Sequence, residues 1–284
     1  MLSKILVPVR GDGMAETVLG HAAALAKRHK AHIVVAHCRS LTEDLMPFGV
    51  PLPPFARDTI VKQAKELAEQ QEQEVREQLH RLAGTLDLEE TDSPRRGTAS
   101  IEFVEVYGRM ADVIKHKGRL TDLVVVGKPD RDRNLGTNSL KSGLFRTGRP
   151  VLMCPPGGAI PPELGVRITV AWNGSLESSR AVGLTLDLTA AAESVTILSG
   201  GKGEPHHATA EELVDYYRSR GIGATIHRFE DRNPGIALLK KTVELDASLL
   251  VMGAYGHSHE RETLFGGNTQ AVVDQANIPV VMVH

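Results

Sequence analysis

Residues 4–9 read KILVPV and residues 167–172 read RITVAW. Each run is a short, β-branched, apolar strand signal, followed by a glycine-containing turn and a segment of helical period. The correspondence recurs twice more in the same order: 121–127 (TDLVVVG) matches 247–253 (ASLLVMG), and 150–154 (PVLMC) matches 279–283 (PVVMV). A chain that repeats its strand signals in the same order is built from two copies of one unit. Between the copies, 155–165 reads PPGGAIPPELG. Its prolines and glycines continue neither a strand nor a helix and mark a linker.

Strands are expected at 4–9, 31–37, 101–106, 122–127 and 151–154, and again at 167–172, 194–198, 224–229, 248–253 and 278–283. Between them Val18, Ala22, Leu25 and His29 fall on one helical stripe, as do Val182, Leu186 and Ala190. Strands alternating with helices make a parallel sheet covered on both faces. The expected fold is therefore α/β, with two doubly wound, parallel, five-stranded domains in tandem, at 1–157 and 166–284. The length of 284 residues suits two domains of ordinary size. The copies differ by an insertion at 41–96. It opens with an apolar, proline-rich stretch, MPFGVPLPPF at 46–55. A charged helix follows, with Ile60, Ala64, Leu67, Gln71, Val75, Leu79 and Leu82 on one face, and is expected to cover its own sheet. The proline-rich stretch suits a lid or a partner-binding loop, and its lack of basic residues argues against membrane insertion.

Composition narrows the function classes. Lys and Arg total 33 against 35 Asp and Glu, a formal charge of -2, so no global field draws the chain to nucleic acid or an anionic membrane. No segment approaches the roughly 18 apolar residues of a membrane span. Cys38 and Cys154 stand far apart within apolar runs, which suits small buried hydrophobes in a reducing compartment. A cytoplasmic location is expected.

The stretch most informative about chemistry is 251–268, VMGAYGHSHERETLFGGN, between an expected strand and an expected helix. Ligands of doubly wound sheets bind outside the carboxyl ends of the strands, and this loop leaves such an end. Glycine removes the Cβ that holds a phosphate away from backbone N–H groups, and a helix starting near Asn268 would aim its unpaired N–H groups at an anion. Asn268 also suits the N-cap. On physical grounds alone, glycines that merely make two turns fit the pattern equally well.

With the repeat, these residues resemble the universal stress proteins in their tandem two-domain form. Gly253, Gly256 and Gly266 keep the family's nucleotide-loop spacing, and Pro279-Val280 closes it. The resemblance implies a Rossmann-like fold of the adenine nucleotide alpha hydrolase type, and ATP or another adenine nucleotide as ligand; from ligand spacing no metal is expected. It implies an adenine near Ala171 and Met252, a ribose toward Asn173, and phosphates toward Gly256, Gly266, Gly267 and Asn268, with Gly253 opening the binding loop and His257 adjoining. Two positions depart from the family: Gly267 stands where a Ser or Thr is usual, and Asn173 where ATP-binding members place an Asp. A lost hydroxyl contact removes about 1 kcal/mol, which weakens a site without deleting it. The implied role is a non-catalytic, nucleotide-responsive factor of the stress response. The alternatives are a slow ATP hydrolase or phosphotransferase, and a ligand-free interaction module. An unknown protein partner is implied, a homodimer of tandem chains is left open, and the fifth strands of the two halves are expected to pair antiparallel.

The first half departs further. Arg10 takes the Asp position, and Gly127 is followed by Lys128, Pro129 and Asp130, where Pro129 removes a backbone donor. Gly136-Thr137-Asn138 matches Gly266-Gly267-Asn268, but on a shorter loop, so this half is expected to be a structural partner. Arg10, Lys128 and Arg131 read as solvated basic side chains, with some other anion as the alternative. Gly11-Asp12-Gly13 reads as a turn and helix cap, because Glu16 stands where a dinucleotide fingerprint needs glycine. Residues 199–203 read as a loop. His206-His207 and the His257/His259 pair lack accompanying ligands for zinc. No catalytic residue can be assigned from spacing.

Overall fold

The structure is a computed structural model and describes residues 2–9, 13–39, 54–95, 97–130, 132, 135–157, 160–161, 163–200, 208–255 and 267–284. In chain order the first half comprises β1 (Lys4–Val9), α1 (Ala15–His29), β2 (His32–Arg39), α2 (Pro54–Thr85), β3 (Glu89–Glu90), β4 (Ser100–Tyr107), α3 (Met110–Gly118), β5 (Leu123–Gly127), α4 (Thr137–Arg146) and β6 (Val151–Cys154). The second half comprises β7 (Arg167–Trp172), α5 (Leu176–Leu184), α6 (Leu186–Ala190), β8 (Ser194–Gly200), α7 (Ala210–Arg218), β9 (Ala224–Phe229), α8 (Pro234–Glu244), β10 (Leu249–Gly253), α9 (Gly267–Gln275) and β11 (Val280–Val283). All ten expected strands are present. The α/β class and the parallel pairing within each half are as the alternation requires.

The two sheets are continuous. Among the described residues a single eleven-stranded sheet runs β3-β4-β2-β1-β5-β6-β11-β10-β7-β8-β9. The join is the expected antiparallel pairing of β6 with β11, in register Val280↔Met153, Val281↔Leu152 and Met282↔Val151. Every residue of these two strands is buried, Leu152 and Val281 completely. They read as unbroken apolar runs because helices cover both faces. Leu152, Cys154, Val281 and Val283 enter one core layer. Val151, Met153, Val280 and Met282 enter the other. Both layers thus run through the join, which leaves neither fifth strand as a sticky edge.

Two details differ from the expected pattern. β3 is a two-residue strand that extends the first half's sheet at Glu89 and Glu90, pairing with Ser100 and Ile101. The stripe Val182, Leu186 and Ala190 is shared by two helices. The Thr185 hydroxyl donates to the Ala181 carbonyl at 2.6 Å, and the backbone leaves helical angles at Thr185. Such back-bonding competes with the regular ladder and bends or breaks a helix. The long amphipathic helix is present as α2, in which Leu79 is buried and Val75 and Leu82 pack on the core of their own half. Side chains at Ile60, Ala64, Leu67 and Gln71, and residues 46–53 of the proline-rich stretch, lie outside the described residues.

α1 carries a titratable group into the core. His21 is fully buried, with Nδ1 at 2.7 Å from the Thr17 carbonyl oxygen, which only accepts. Nδ1 therefore carries the proton, and Nε2 is buried with no hydrogen-bond partner among the described residues. Burial lowers the pKa of His21, and also those of His29 and His32. A histidine depressed in the fold is protonated more readily in the unfolded chain, so stability falls as pH drops through and below the ordinary value near 6.5. Denaturation midpoints should decline from pH 7.5 to pH 5, and His21→Leu should flatten that decline. An unchanged slope in the variant would assign the acid sensitivity to other groups.

Candidate functional site

Pairing of β7 with β10 extends from Leu249↔Ile168 to Val251↔Val170. Beyond that point the strand ends part. The chain leaves β7 toward β8 and β9 on one side and later returns to β10 and β11 on the other, so this parting is the topological switch point where doubly wound sheets bind ligands. A cavity of about 300 Å³ occupies it, at the lower end of small-molecule sites. Ala171, Asn173, Met252, Gly253, Gly267 and Asn268 all line it. Gly256, His257 and Gly266, expected in the same site, lie outside the described residues.

One wall is apolar. Leu198, Phe229, Leu238 and Met252 line the cavity and belong to the core layer between the strands and α8. The other wall is built from helix starts. Ser175 caps α5 by accepting the Ser178 N–H at 3.2 Å, and the Asn173 side-chain oxygen accepts the Ser175 N–H at 3.2 Å. Asn173 thus holds the turn after β7 and keeps its amide NH₂ as a donor. Among the described residues α9 begins at Gly267, and the first-turn N–H groups of Gly267, Asn268 and Thr269 have no described acceptor within the helix. Asn268 is not the N-cap, because it already lies inside this first turn. Gly235 explains that placement: a Cβ there would collide with the Asn268 carbonyl oxygen, so α8 presses directly on the start of α9.

Gly253 has a reason of its own. A Cβ on it would lie 2.5 Å from the Glu177 carbonyl carbon and 2.6 Å from the Ser178 nitrogen, so the glycine admits the first turn of α5. At Gly267, by contrast, no atom of the described residues lies within 4 Å of a Cβ built there. The hydroxyl missing at 267 occurs two residues on. Thr269, buried in the cavity wall, accepts the Tyr255 N–H at 3.3 Å and so ties the end of β10 to α9. Tyr255 has φ 67°, a left-handed conformation costly for a non-glycine residue. Its ring lies 5.1 Å from Phe145 of α4, and burial pushes its phenol pKa up. Neither Gly235 nor Thr269 carries a spacing signal that singles it out. Glu177 is the one carboxylate among the described residues lining the cavity.

The first half has an equivalent parting. β1 pairs with β5 only at Ile5↔Leu123 and Leu6↔Val124, which leaves Pro8, with no N–H to offer, on an unpaired side. A cavity of about 360 Å³ lies there. Lys128 is not a solvated side chain. Its Nζ donates to the Ala276 carbonyl at 2.9 Å, just past the C-terminus of α9, and its pKa is lowered by burial against the pull of Asp274. Arg10 and Arg131 lie outside the described residues, as do His206, His207, His257 and His259. Gly13 is described, and the N-cap of α1 is Met14, which makes no side-chain capping bond. The start of the 199–203 stretch also differs from expectation, since Ser199 and Gly200 complete β8. Among the described residues no group of three or more His, Cys, Asp or Glu is placed to hold a metal ion, and no helix is long and apolar enough to cross a membrane. Both cysteines are buried.

The model of the universal stress protein family matches residues 1–136 and 190–284. The chain belongs to the universal stress protein family. A universal stress protein from Archaeoglobus fulgidus DSM 4304 has a similar structure, with a TM-score of 0.68 and 18% identity over 100% of this chain and 96% of its own. A putative universal stress protein from Pseudomonas aeruginosa UCBPP-PA14 follows at 0.56, with 16% identity over 99% and 93%. A universal stress protein solved in complex with cAMP is 27% identical over 42% of this chain and 95% of its own, at a TM-score of 0.36. No curated protein matches the chain. This universal stress protein therefore shares a full-length fold with the first two structures at low identity.

Proposed function

We propose that this universal stress protein binds one adenine nucleotide per chain in its second unit, 166–284, and serves as a nucleotide-responsive, non-catalytic factor of the cytoplasmic stress response. The observation that carries the reading is the convergence of Ala171, Asn173, Met252, Gly253, Gly267 and Asn268 on one cavity at the switch point. The apolar wall suits a purine, the amide of Asn173 suits a ribose hydroxyl, and the start of α9 suits phosphate. No Lys or Arg is among the described residues of the wall, so phosphate recognition rests on backbone N–H groups and the affinity is modest. The first unit, 1–157, has lost the loop and acts as structural partner. Self-association into a homodimer would need a surface other than β6 and β11, whose hydrogen-bonding edges are already satisfied within the chain.

Isothermal titration of the full chain with ATP, ADP and AMP tests the reading, with one site per chain as the expected result. Gly267→Ser, whose Cβ meets no atom of the described residues within 4 Å, should strengthen binding by at most about tenfold, one recovered hydrogen bond. No heat with any of the three nucleotides, or two nucleotides per chain, would overturn the assignment. Phosphate release from ATP by the same preparation separates a binder from a slow hydrolase.

A further inference from the structure

α9, whose first turn lines the second half's cavity, is gripped at both ends by side chains of the first half. At its start the Thr269 hydroxyl accepts the Tyr255 N–H at 3.3 Å. Tyr255 is buried, and its ring lies 5.1 Å from that of Phe145 on α4, at an interplanar angle of 47°. His284 completes the seat. Its ring lies 4.6 Å from Phe145 and 6.3 Å from Tyr255, and its Nδ1 donates to the Ala254 carbonyl oxygen at 3.2 Å. The left-handed backbone of Tyr255, at φ 67°, persists in a non-glycine residue only where its surroundings fix it. At the other end of α9 the Lys128 ammonium group donates to the carbonyl oxygen of the buried Ala276 at 2.9 Å, and Asp274 of the last turn attracts the same cation. Nine residues are too few for a helix to hold in water by itself, so the order of the first turn depends on both grips. The apolar wall has other supports: Leu198 and Phe229 stand on β8 and β9, on the far side of β7 from the join.

We infer that Phe145 and Lys128 are positioning residues for the second half's cavity: they fix the first-turn N–H groups of α9, so the first half sets the affinity for a ligand's phosphate. The apolar end of the ligand is left to the second half. The identity of the ligand rests on the nucleotide reading proposed above, and the mechanics rest on the contacts themselves. A half without a nucleotide loop of its own thereby acts on the site of the other, through one ring and one ammonium group.

Calorimetric titration of the full chain with ATP and with adenosine, together with hydrogen exchange of the ligand-free chain, tests the two parts separately. Phe145→Ala and Lys128→Met should each weaken ATP binding by about tenfold and adenosine binding by less than about twofold. Phe145→Tyr keeps the ring and Lys128→Arg keeps a donor, and both should bind ATP within about threefold of the parent. Phe145 is 47% exposed, so Phe145→Ala should move the melting temperature by no more than about 4 °C. Without ligand, the amides of 267–275 should exchange about fivefold faster or more in Phe145→Ala and Lys128→Met, with those of α5 at the parent's rate. Equal losses for ATP and adenosine, parent-like ATP affinity in folded Phe145→Ala and Lys128→Met, conservative variants no better than the disruptive ones, or unchanged exchange across 267–275 would each overturn the inference. A parent that binds neither ATP nor adenosine would overturn the nucleotide reading instead, and exchange across 267–275 would then decide alone whether the first half holds α9.

Discussion

Gly267→Asp should fold at least as well as the parent and bind ATP about a hundredfold more weakly. Among the described residues no atom lies within 4 Å of a Cβ at this position. It replaces the first residue of α9, where glycine is a poor helix former and a carboxylate is favoured by the unpaired N–H groups and the helix dipole. Those same N–H groups are the proposed phosphate ligands, so the new carboxylate occupies the anion's place. Like charges about 4 Å apart near a protein surface repel by roughly 4 kcal/mol, of which solvent screening leaves enough for about two orders of magnitude in affinity. The loss should be steepest for ATP and smallest for adenosine, which has no phosphate to repel. Gly267→Asn, similar in size and uncharged, should stay near the parent. Thermal melts and titrations of both variants check this together. Equal weakening for ATP and adenosine would place the phosphates elsewhere, and unchanged ATP binding would remove α9 from the site.

The fold was legible because its strands are buried on both faces. Runs such as KILVPV at 4–9 and VLMC at 151–154 carry the signal along the chain itself, and the repeat doubled each of them. The cavity residues Ala171, Met252 and Gly253 were legible for a related reason. They end the strands at which the repeat was aligned, and strand ends at a switch point are where such sheets open. What stayed hidden depends on contacts between distant segments. Nothing near Lys128 announces that its ammonium group reaches Ala276, 148 positions away. Gly235 reads as an ordinary glycine after Pro234 until α8 is laid against the backbone of Asn268. Gly253 was read as a phosphate glycine, and packing against α5 also requires it. Thr269 escaped notice because the family pattern directs attention to 267, while the hydroxyl that lines the wall lies half a helical turn further on.

The two halves also exchange elements across the join. α9 begins at the second half's cavity, with Gly267, Asn268 and Thr269, and ends at the first half's, with Asp274. α4 begins at the first half's cavity, with Gly136 and Ser139. Its Phe145 lies 5.1 Å from Tyr255, in the wall of the other, and 4.6 Å from the His284 ring. This reciprocity follows from the antiparallel pairing of β6 and β11, because each of those strands is preceded by the helix that starts at its own cavity. The pairing therefore positions both cavities as well as sealing two edges.

That makes the join the place where a single charge should do most damage. Val281→Asp should lower unfolding free energy by about 4 kcal/mol at neutral pH, a large part of the 5–15 kcal/mol typical of a folded domain. Val281 is fully buried opposite Leu152, with no described polar side chain in either strand to receive a carboxylate. The same substitution at Thr225, exposed on the edge strand β9, should cost about 1 kcal/mol or less, chiefly through strand propensity. The comparison isolates burial at the join from the presence of a charge in a strand. Desolvation raises the pKa of the introduced carboxyl in the folded state above its unfolded value near 4. The folded chain then binds the proton more readily, so the penalty should be smallest below that value and grow as pH rises toward the folded pKa. Urea midpoints of the parent and both variants at pH 5 and 7.5 measure the two effects. Equal losses at Val281 and Thr225 would show that the β6–β11 pair does not hold the halves together, whereas a large loss at Val281 alone, eased at pH 5, ties the sheet's continuity to this one buried contact.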